Sequence, residues 1–330
     1  MAAHCFDATT FVGPCNHKAR GQHHNPPAPG RSHYLKIKRK QVCNKFFIGM
    51  KRIHTILIIL LLAVTYGEAK KSSDDRQMDD FITSLMKKMT LEEKIGQLNL
   101  GGVGSPKVVG SAIGLDEAIR KGLVSSVGGF DAKAAEDAQK FAVENSRMKI
   151  PLITGLDVVH GYYTIFPIPL ASACSWNMPL LEESARVAAD EASAFGINWT
   201  FAPMVDICRD PRWGRIAEGA GEDPCLGSRI GRAMVRGFQG DDLSKPNTLL
   251  ACVKHFALYG ASEAGRDYNT VSMDPVTMYN YYLPPYKAAF DEGAGSGMTS
   301  FNVVNGVPAT GNKWLLTDLL RDQWKFKGFM

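Results

Sequence analysis

The sequence predicts an α/β fold, a (β/α)8 TIM-type barrel truncated before its last strands. Three observations lead there. Short apolar runs rich in β-branched residues recur at 125–130, 152–157, 199–206, 250–256 and 298–302, and helical stretches at 132–147, 179–195, 224–239, 275–291 and 312–324 alternate with them. Strand followed by helix, several times over, calls for a parallel sheet with helical crossovers. Five such units and the approach to another strand at 325–330, within about 250 residues, suit a closed eightfold barrel better than an open sheet. A dinucleotide-binding fold is disfavoured, because Gly101-Gly-Val-Gly104 lacks the third glycine and the following helix of that fingerprint.

At 330 residues, with 45% hydrophobic and 22% charged side chains, the chain has an ordinary globular composition and room for one barrel-sized domain. Its net charge of +5 would suggest an anionic partner if it were spread over the fold. It is not spread. Lys18, Arg20, Arg31, Lys36, Lys38, Arg39, Lys40 and Lys45 face a single acid, Asp7, before Met50, and 30 basic and 32 acidic residues follow. No nucleic-acid partner is expected.

From Met50 the chain reads Met-Lys-Arg-Ile-His-Thr, then an apolar run from Ile56 to Val64, then Thr-Tyr-Gly-Glu-Ala. A basic segment, a short apolar segment and a small-residue zone are the layout of a secretory signal, and the run is too short for a bilayer, which takes about 20 residues. The expected organisation is an upstream extension outside the fold at 1–49, a signal peptide at 50–69 and an incomplete barrel domain at 70–330. The product is expected to be periplasmic or secreted, without a stable membrane anchor. Beyond the signal only His160 and His255 remain of the histidines, and Cys174, Cys208, Cys225 and Cys252 of the cysteines. Two distant histidines and scattered cysteines make no recognisable metal set, so neither metal nor cofactor is expected; the cysteines read as mostly free or structural thiols, with any pairing left open.

The barrel's lead-in is a segment, 79–89, with Phe81, Ile82, Leu85, Met86 and Met89 on one face, and Thr90-Leu-Glu-Glu93 opens the next helix as a capping box. At the other end, Lys325-Phe-Lys-Gly-Phe-Met330 reads as the approach to another strand.

Reactive groups in such barrels sit at the C-terminal ends of strands, so polar residues just after apolar runs carry the most weight. Asp157 ends one run and is followed by His160-Gly161. Asp206 ends the next and opens a loop holding Arg209, Arg212, Trp213, Arg215, Glu218, Glu222 and Asp223. Lys254-His255 lies inside an apolar strand, and Ser300-Phe301-Asn302 closes the last run. The charged loop reads equally as a salt-bridged surface or as part of a site. His160 reads equally as a satisfied histidine under a tight turn or as a ligand contact. Lys254 and His255 are different, since polar groups inside an apolar strand cost desolvation unless they are paired or face a polar cavity. Carboxylates mixed with Lys, Arg and His suit a neutral polyhydroxylated ligand, whose hydroxyls both donate and accept. A phosphate site would be more purely cationic. Trp176, Trp199 and Trp213 read as core or wall, Trp213 being the best candidate for a sugar platform.

Gly155-Leu-Asp157-Val-Val-His160-Gly161, Arg209-Asp-Pro-Arg-Trp-Gly-Arg215 with Glu222-Asp223, Lys254-His255-Phe256 and Ser300-Phe-Asn-Val-Val-Asn-Gly306 resemble, in order and spacing, the motif series of glycoside hydrolase family 3 β-glucosidases of the periplasmic bacterial type. The resemblance runs from about Met78 to Met330. It implies hydrolysis of terminal non-reducing β-D-glucosyl residues with retention, by the complete gene product, on a β-glucoside or oligosaccharide substrate. It implies that Asp157 holds hydroxyls of the terminal sugar, that Arg215, Lys254 and His255 clasp the same ring, and that Phe301 forms a wall where many members carry Tyr beside the nucleophile. No hydrogen bond to the nucleophile is then expected from Phe301. The family's nucleophile is an Asp a few residues after a Lys-Gly-Phe sequence such as Lys327-Gly-Phe329, so it is expected just after Met330, and the acid/base in a later domain of the same gene product. No catalytic carboxyl is therefore expected in this chain, which should be inactive alone. The branch that cleaves N-acetylglucosaminides carries a His shortly after Lys-His-Phe; Ala257-Leu-Tyr-Gly-Ala-Ser-Glu263 has none. Two rivals remain: a sugar-binding remnant without catalysis, and a Schiff-base lyase using Lys254.

Overall fold

The computed structural model describes residues 73–102, 113–128 and 132–330. The expected extension and signal peptide lie outside the described residues. The chain divides into two compact units, one holding Met89–Met330 and the other ending at Lys88. In the latter, Ser73–Lys88 is a helix closed by Lys87 and Lys88, cations where the helix dipole favours them. No helix among the described residues is long and apolar enough to cross a membrane.

In the larger unit the capping box forms as expected: the Thr90 hydroxyl accepts from Glu93 N at 3.2 Å and Glu93 Oε2 accepts from Thr90 N at 2.8 Å, opening the helix Leu91–Gly96. Six strands follow, β1 (Leu100–Gly102), β2 (Ser126–Gly128), β3 (Ile153–Leu156), β4 (Trp199–Thr200), β5 (Leu250–Phe256) and β6 (Ser296–Thr299). All five pairings are parallel, and each strand lies beside its predecessor in the order β1-β2-β3-β4-β5-β6. A doubly wound sheet would reverse its order at a switch point. This one never does, and it forms half of a (β/α)8 barrel. After the helix Trp314–Gln323, Phe329 comes back beside β6 in parallel register, with Gly297 N donating to Phe329 O at 2.9 Å.

The main core lies between β3, β4 and β5 and the helices packed on them. Ala185, Ala188, Ala189 and Ala192 give the helix Met178–Ala194 a small-residue face, against which the helix Pro224–Gln239 fits closely. A Cβ on Gly237 would stand 2.4 Å from Glu182 O, so only glycine permits this approach. Gly155 is constrained likewise, because a Cβ there would meet the Phe201 ring at 2.7 Å. A smaller core around Val127, Ile119 and Ala142 covers β2.

Several expected elements differ, each for a local reason. The run at 199–206 gives a strand of two residues because Pro203 has no N–H for the ladder. The chain still follows β5, with Cys252 N donating to Ala202 O and Lys254 N to Pro203 O. The helix expected over 275–291 forms with a widened middle, α at Pro275–Thr277, π at Met278–Tyr282 and α again at Pro284–Asp291, the wider turn lying just ahead of Pro284, which has no N–H to donate. β6 starts earlier than the run at 298–302, on Ser296-Gly297, where the absent side chain lets the Phe290 ring approach. β1, with two glycines in three residues, gives no apolar signal at all.

Candidate active site

The polar residues gather at the C-terminal ends of β3 to β6. Lys254, near the C-terminal end of β5, is 2% exposed. Its Nζ donates to Asp157 Oδ1 at 2.6 Å, just beyond β3, and stands 3.8 Å from Glu218 Oε2. Glu218 lies on the short 3-10 turn Gly214–Glu218 and takes Arg215 in a two-pronged grip, Nε to Oε1 at 2.6 Å and Nη2 to Oε2 at 2.8 Å. The result is a chain of alternating charge, Asp157–Lys254–Glu218–Arg215. Burial alone would raise the Glu218 carboxyl, but the Arg215 guanidinium, helped by Lys254 and His255, holds it below the ordinary carboxylate range. Glu218 in turn holds Arg215 more firmly protonated than a free guanidinium. Asp157 keeps an exposed carboxylate, 55% accessible at the side chain, on the open side of this chain.

His255 is fixed from below. Asp206, fully buried, accepts from both the backbone N and Nδ1 of His255 at 2.9 Å through Oδ2, and its Oδ1 takes the Tyr286 hydroxyl. The Tyr286 hydroxyl also lies 2.9 Å from the His255 carbonyl. Burial, with Asp206 beside it, pushes the Tyr286 hydroxyl far above its usual pKa, so it stays a donor. With Nδ1–H committed to Asp206, Nε2 is the ring nitrogen left for a ligand. The register of β5 against β6 shifts between Lys254 and Phe256, and this irregularity brings the two consecutive polar residues to one site.

Aromatic rings complete the wall. Tyr259 stacks edge-on against His255 at 5.1 Å, lies under Arg215 at 5.6 Å and meets Phe301 at 5.4 Å. Phe301 reaches His255 at 5.8 Å. Trp213 is fully buried and donates Nε1 to Asp267 Oδ1 at 2.9 Å. It is wall under the site, not a platform; Trp199 is half-buried and donates to Ser296 Oγ, and Trp176, expected as core or wall, is exposed. His160 is held through Nδ1 by the Phe166 carbonyl at 3.1 Å.

Asp157, Arg215, Lys254, His255 and Phe301 are thus one constellation. Sequence reasoning noticed Glu218 and Asp206 only as members of a charged loop and a strand end; the first links Arg215 to Lys254, and the second sets the orientation of His255. A carboxylate closing an apolar run was the available signal for Asp206. For Tyr259, Asp267 and Tyr286 there was none, since each acts through a partner far away in sequence. Cys208 and Cys252 are buried, and burial pushes their thiols up, Cys252 to about 12, which leaves them unreactive. Among the described residues no cluster of His, Cys, Asp or Glu could hold a metal ion.

Comparison with known proteins gives this arrangement its family. The chain is 47% identical over 255 residues to a periplasmic β-glucosidase of Salmonella typhimurium, covering 76% of this chain and 32% of that protein. It is 32% identical over 273 residues to a β-xylosidase of Formosa agariphila, covering 79% and 32%. Among solved structures, the β-glucosidase of Listeria innocua in complex with isofagomine superposes with a TM-score of 0.69 at 44% identity, over 75% of this chain and 35% of that one. The chain therefore spans about a third of the length of these relatives. With residues 90–330 also matching the model of the glycosyl hydrolase family 3 N terminal domain, the half-barrel and its ringed charge chain belong to that family.

Proposed function

We propose that the complete protein hydrolyses terminal non-reducing β-D-glucosyl residues with retention, and that residues 90–330 supply the clasp for the terminal sugar. The carrying observation is the chain Asp157–Lys254–Glu218–Arg215 with His255 beside it. A terminal glucosyl residue presents hydroxyls on C2, C3, C4 and the exocyclic C6. Asp157 accepts from such hydroxyls, Lys254 and Arg215 donate to them, and His255 Nε2, with Nδ1–H held by Asp206, accepts. Solved structures of the Listeria innocua β-glucosidase with glucose, laminaribiose and isofagomine support a glucoside as the ligand class. Phe301 is the wall of this clasp.

The clasp binds and orients; it does not carry out the displacement. Retaining hydrolysis needs one carboxylate to attack and one carboxylic acid to protonate the leaving group, about 5 to 5.5 Å apart. Asp157 is tied to Lys254, Asp206 to His255 and Tyr286, and Glu218 is shifted the wrong way for a proton donor. The attacking carboxylate and the acid/base come, in this reading, from beyond Met330. Lys254 is engaged by two carboxylates and not free in an apolar pocket, which disfavours a Schiff-base role. Export to the periplasm or medium is part of the same reading, supported by the apolar segment after Met50 and by the periplasmic relative.

Calorimetric titration of the 330-residue chain with D-glucose tests the clasp. Saturable binding, raised thermal stability in proportion to ligand, and loss of both in Asp157→Asn are expected. A cooperatively folded chain that does not bind glucose would overturn the reading. Release of nitrophenol from an aryl β-glucoside by this chain would overturn the division of labour.

A further inference from the structure

We propose that the buried hydroxyl of Tyr286 is the positioning group that fixes the hydrogen-bond polarity of the sugar clasp: it keeps His255 Nε2 an acceptor, so the sugar hydroxyl lodged there has to donate. The inference rests on the proposed clasp and adds a rule of selection to it.

Three buried side chains build the lock. Asp206 follows β4, His255 lies on β5 and Tyr286 on the helix Pro284–Asp291, and all three are shut away from water. Asp206 Oδ2 accepts twice from His255, from its backbone N and from Nδ1, each at 2.9 Å. A peptide N–H can only donate, so whatever atom stands at the Oδ2 place must accept. Asp206 Oδ1 meets the Tyr286 hydroxyl, which also stands 2.9 Å from the His255 carbonyl. That hydroxyl has one proton to give and lone pairs to receive another. It therefore satisfies the group at the Oδ1 place whether that group needs a donor or an acceptor, turning its own proton to the His255 carbonyl in the second case. Burial, with Asp206 beside it, holds the phenol protonated, and the Phe256 ring packs edge-on against it at 5.5 Å.

Polarity then follows the side chain at 286 and not the charge at 206. With the phenol in place, the Oδ2 position stays an acceptor, Nδ1 keeps its proton and Nε2 is left bare for the ligand. Without it, Oδ1 lies buried with no donor, and a buried polar atom left unpaired is costly. The carboxyl is then best satisfied as a neutral acid whose proton points at Nδ1, already in line at 2.9 Å, while the ring carries its own proton on Nε2. That state holds one proton more than the native pair, taken from water. The difference matters to a sugar. Lys254 and Arg215 only donate and Asp157 accepts, so a bare Nε2 gives the clasp two acceptors against two donors, whereas Nε2–H would leave Asp157 facing three donors.

The test is nitrogen NMR of the His255 imidazole in the 330-residue chain at neutral pH, its signals assigned by their absence from His255→Gln. Calorimetric titration with D-glucose and its monodeoxyfluoro isomers at C2, C3, C4 and C6 accompanies it, since fluorine replaces a hydroxyl at similar size and cannot donate. The native chain should show Nδ1 protonated and Nε2 bare, and Tyr286→Phe should show Nε2 protonated. One fluoro isomer should bind the native chain about tenfold more weakly than glucose and Tyr286→Phe within about threefold of glucose. Asp206→Asn separates the phenol from the charge. Its amide oxygen can take the Oδ2 place while Nδ2 donates to the Tyr286 hydroxyl, so the native ring signature should survive the loss of the carboxylate. In a triad without such a phenol the same change gives the wrong tautomer. Either a native signature in Tyr286→Phe or a protonated Nε2 in Asp206→Asn would overturn the proposal, and the second decides alone should Tyr286→Phe not fold. Failure of the native chain to bind glucose would overturn the clasp, while the ring signals would still decide the lock.

Discussion

The two ends of the sheet use polar side chains in opposite ways. At the C-terminal ends of the strands, charges are buried against one another: Lys254 between Asp157 and Glu218, Glu218 on Arg215, Asp206 on His255. At the N-terminal ends, uncharged amides serve the backbone. Gln139 Oε1 accepts from Leu152 N at 2.6 Å ahead of β3, and Asn198 Oδ1 from Thr154 N at 2.8 Å. Gln239 Oε1 accepts from Ala251 N at 3.1 Å and Gly295 N at 3.0 Å, joining β5 to the start of β6. A cavity of about 890 Å³ lies at this second end, lined by Gln139, Thr154, Asn198 and Leu250. Its charged residues, Glu136, Lys140, Glu144 and Lys245, are exposed and converge on nothing. This void and the desolvated charges thus mark opposite ends of the sheet, and it is the charges that lie where barrels of this kind place their reactive groups.

The sharpest way to break this comparison is to exchange one side chain at each end. Gln239→Leu keeps the volume but leaves two strand N–H groups without an acceptor, one of them fully buried. At about 1–3 kcal/mol for each orphaned donor, unfolding in urea should register a loss of about 2–5 kcal/mol. The folded fraction should bind glucose as before. A stability change under 1 kcal/mol would show that these amides are replaceable by water and that the two ends are alike.

Lys254→Met should do the reverse. The ammonium donates to Asp157 and is 2% exposed; removing one partner of a buried pair costs about 3–5 kcal/mol when it strands the other charge, and the loss is avoided only where the remaining charge keeps a partner or water. Glu218 keeps Arg215, and Asp157 is open to water. The melting temperature is expected to stay level or rise, while glucose affinity falls by the worth of one charged hydrogen bond, about 1.5–3 kcal/mol. Loss of stability without loss of binding would make Lys254 a structural residue.

The sheet and its helices were largely legible in the sequence, because a parallel strand buried on both faces is an apolar run and its crossover helix has its own period. The run 250–256 became β5 and 224–239 became a helix without adjustment. What escaped were elements that owe their form to tertiary contact. β1 is Leu-Gly-Gly, a strand only because β2 lies beside it. Asp157 was legible as a carboxylate closing an apolar run and Lys254-His255 as polar residues inside one; Arg215 stood in a charged loop with two readings and Phe301 came through the family resemblance alone, and their connection through Glu218 and Asp206 was not legible. A pairing across 97 positions, as between Lys254 and Asp157, has no sequence period.

The smallest effect expected is on pH, and it distinguishes a working clasp from a surface salt bridge. Glu218 is depressed in the folded chain by Arg215, against the effect of its burial. A depressed carboxyl contributes stability that is complete above the unfolded carboxylate pKa, about 4.3, and is lost as pH falls through the lower folded value. The difference in melting temperature between the native chain and Glu218→Gln should therefore be level from pH 7 down to about pH 5 and shrink below about pH 4. Glucose affinity should follow the same limb, because protonating Glu218 releases Arg215 and removes one of the two carboxylates that hold Lys254 in place. A difference that grows in acid would mean that Glu218 is more easily protonated in the folded chain. The charge chain would then be a burden on the fold instead of its means of holding a sugar.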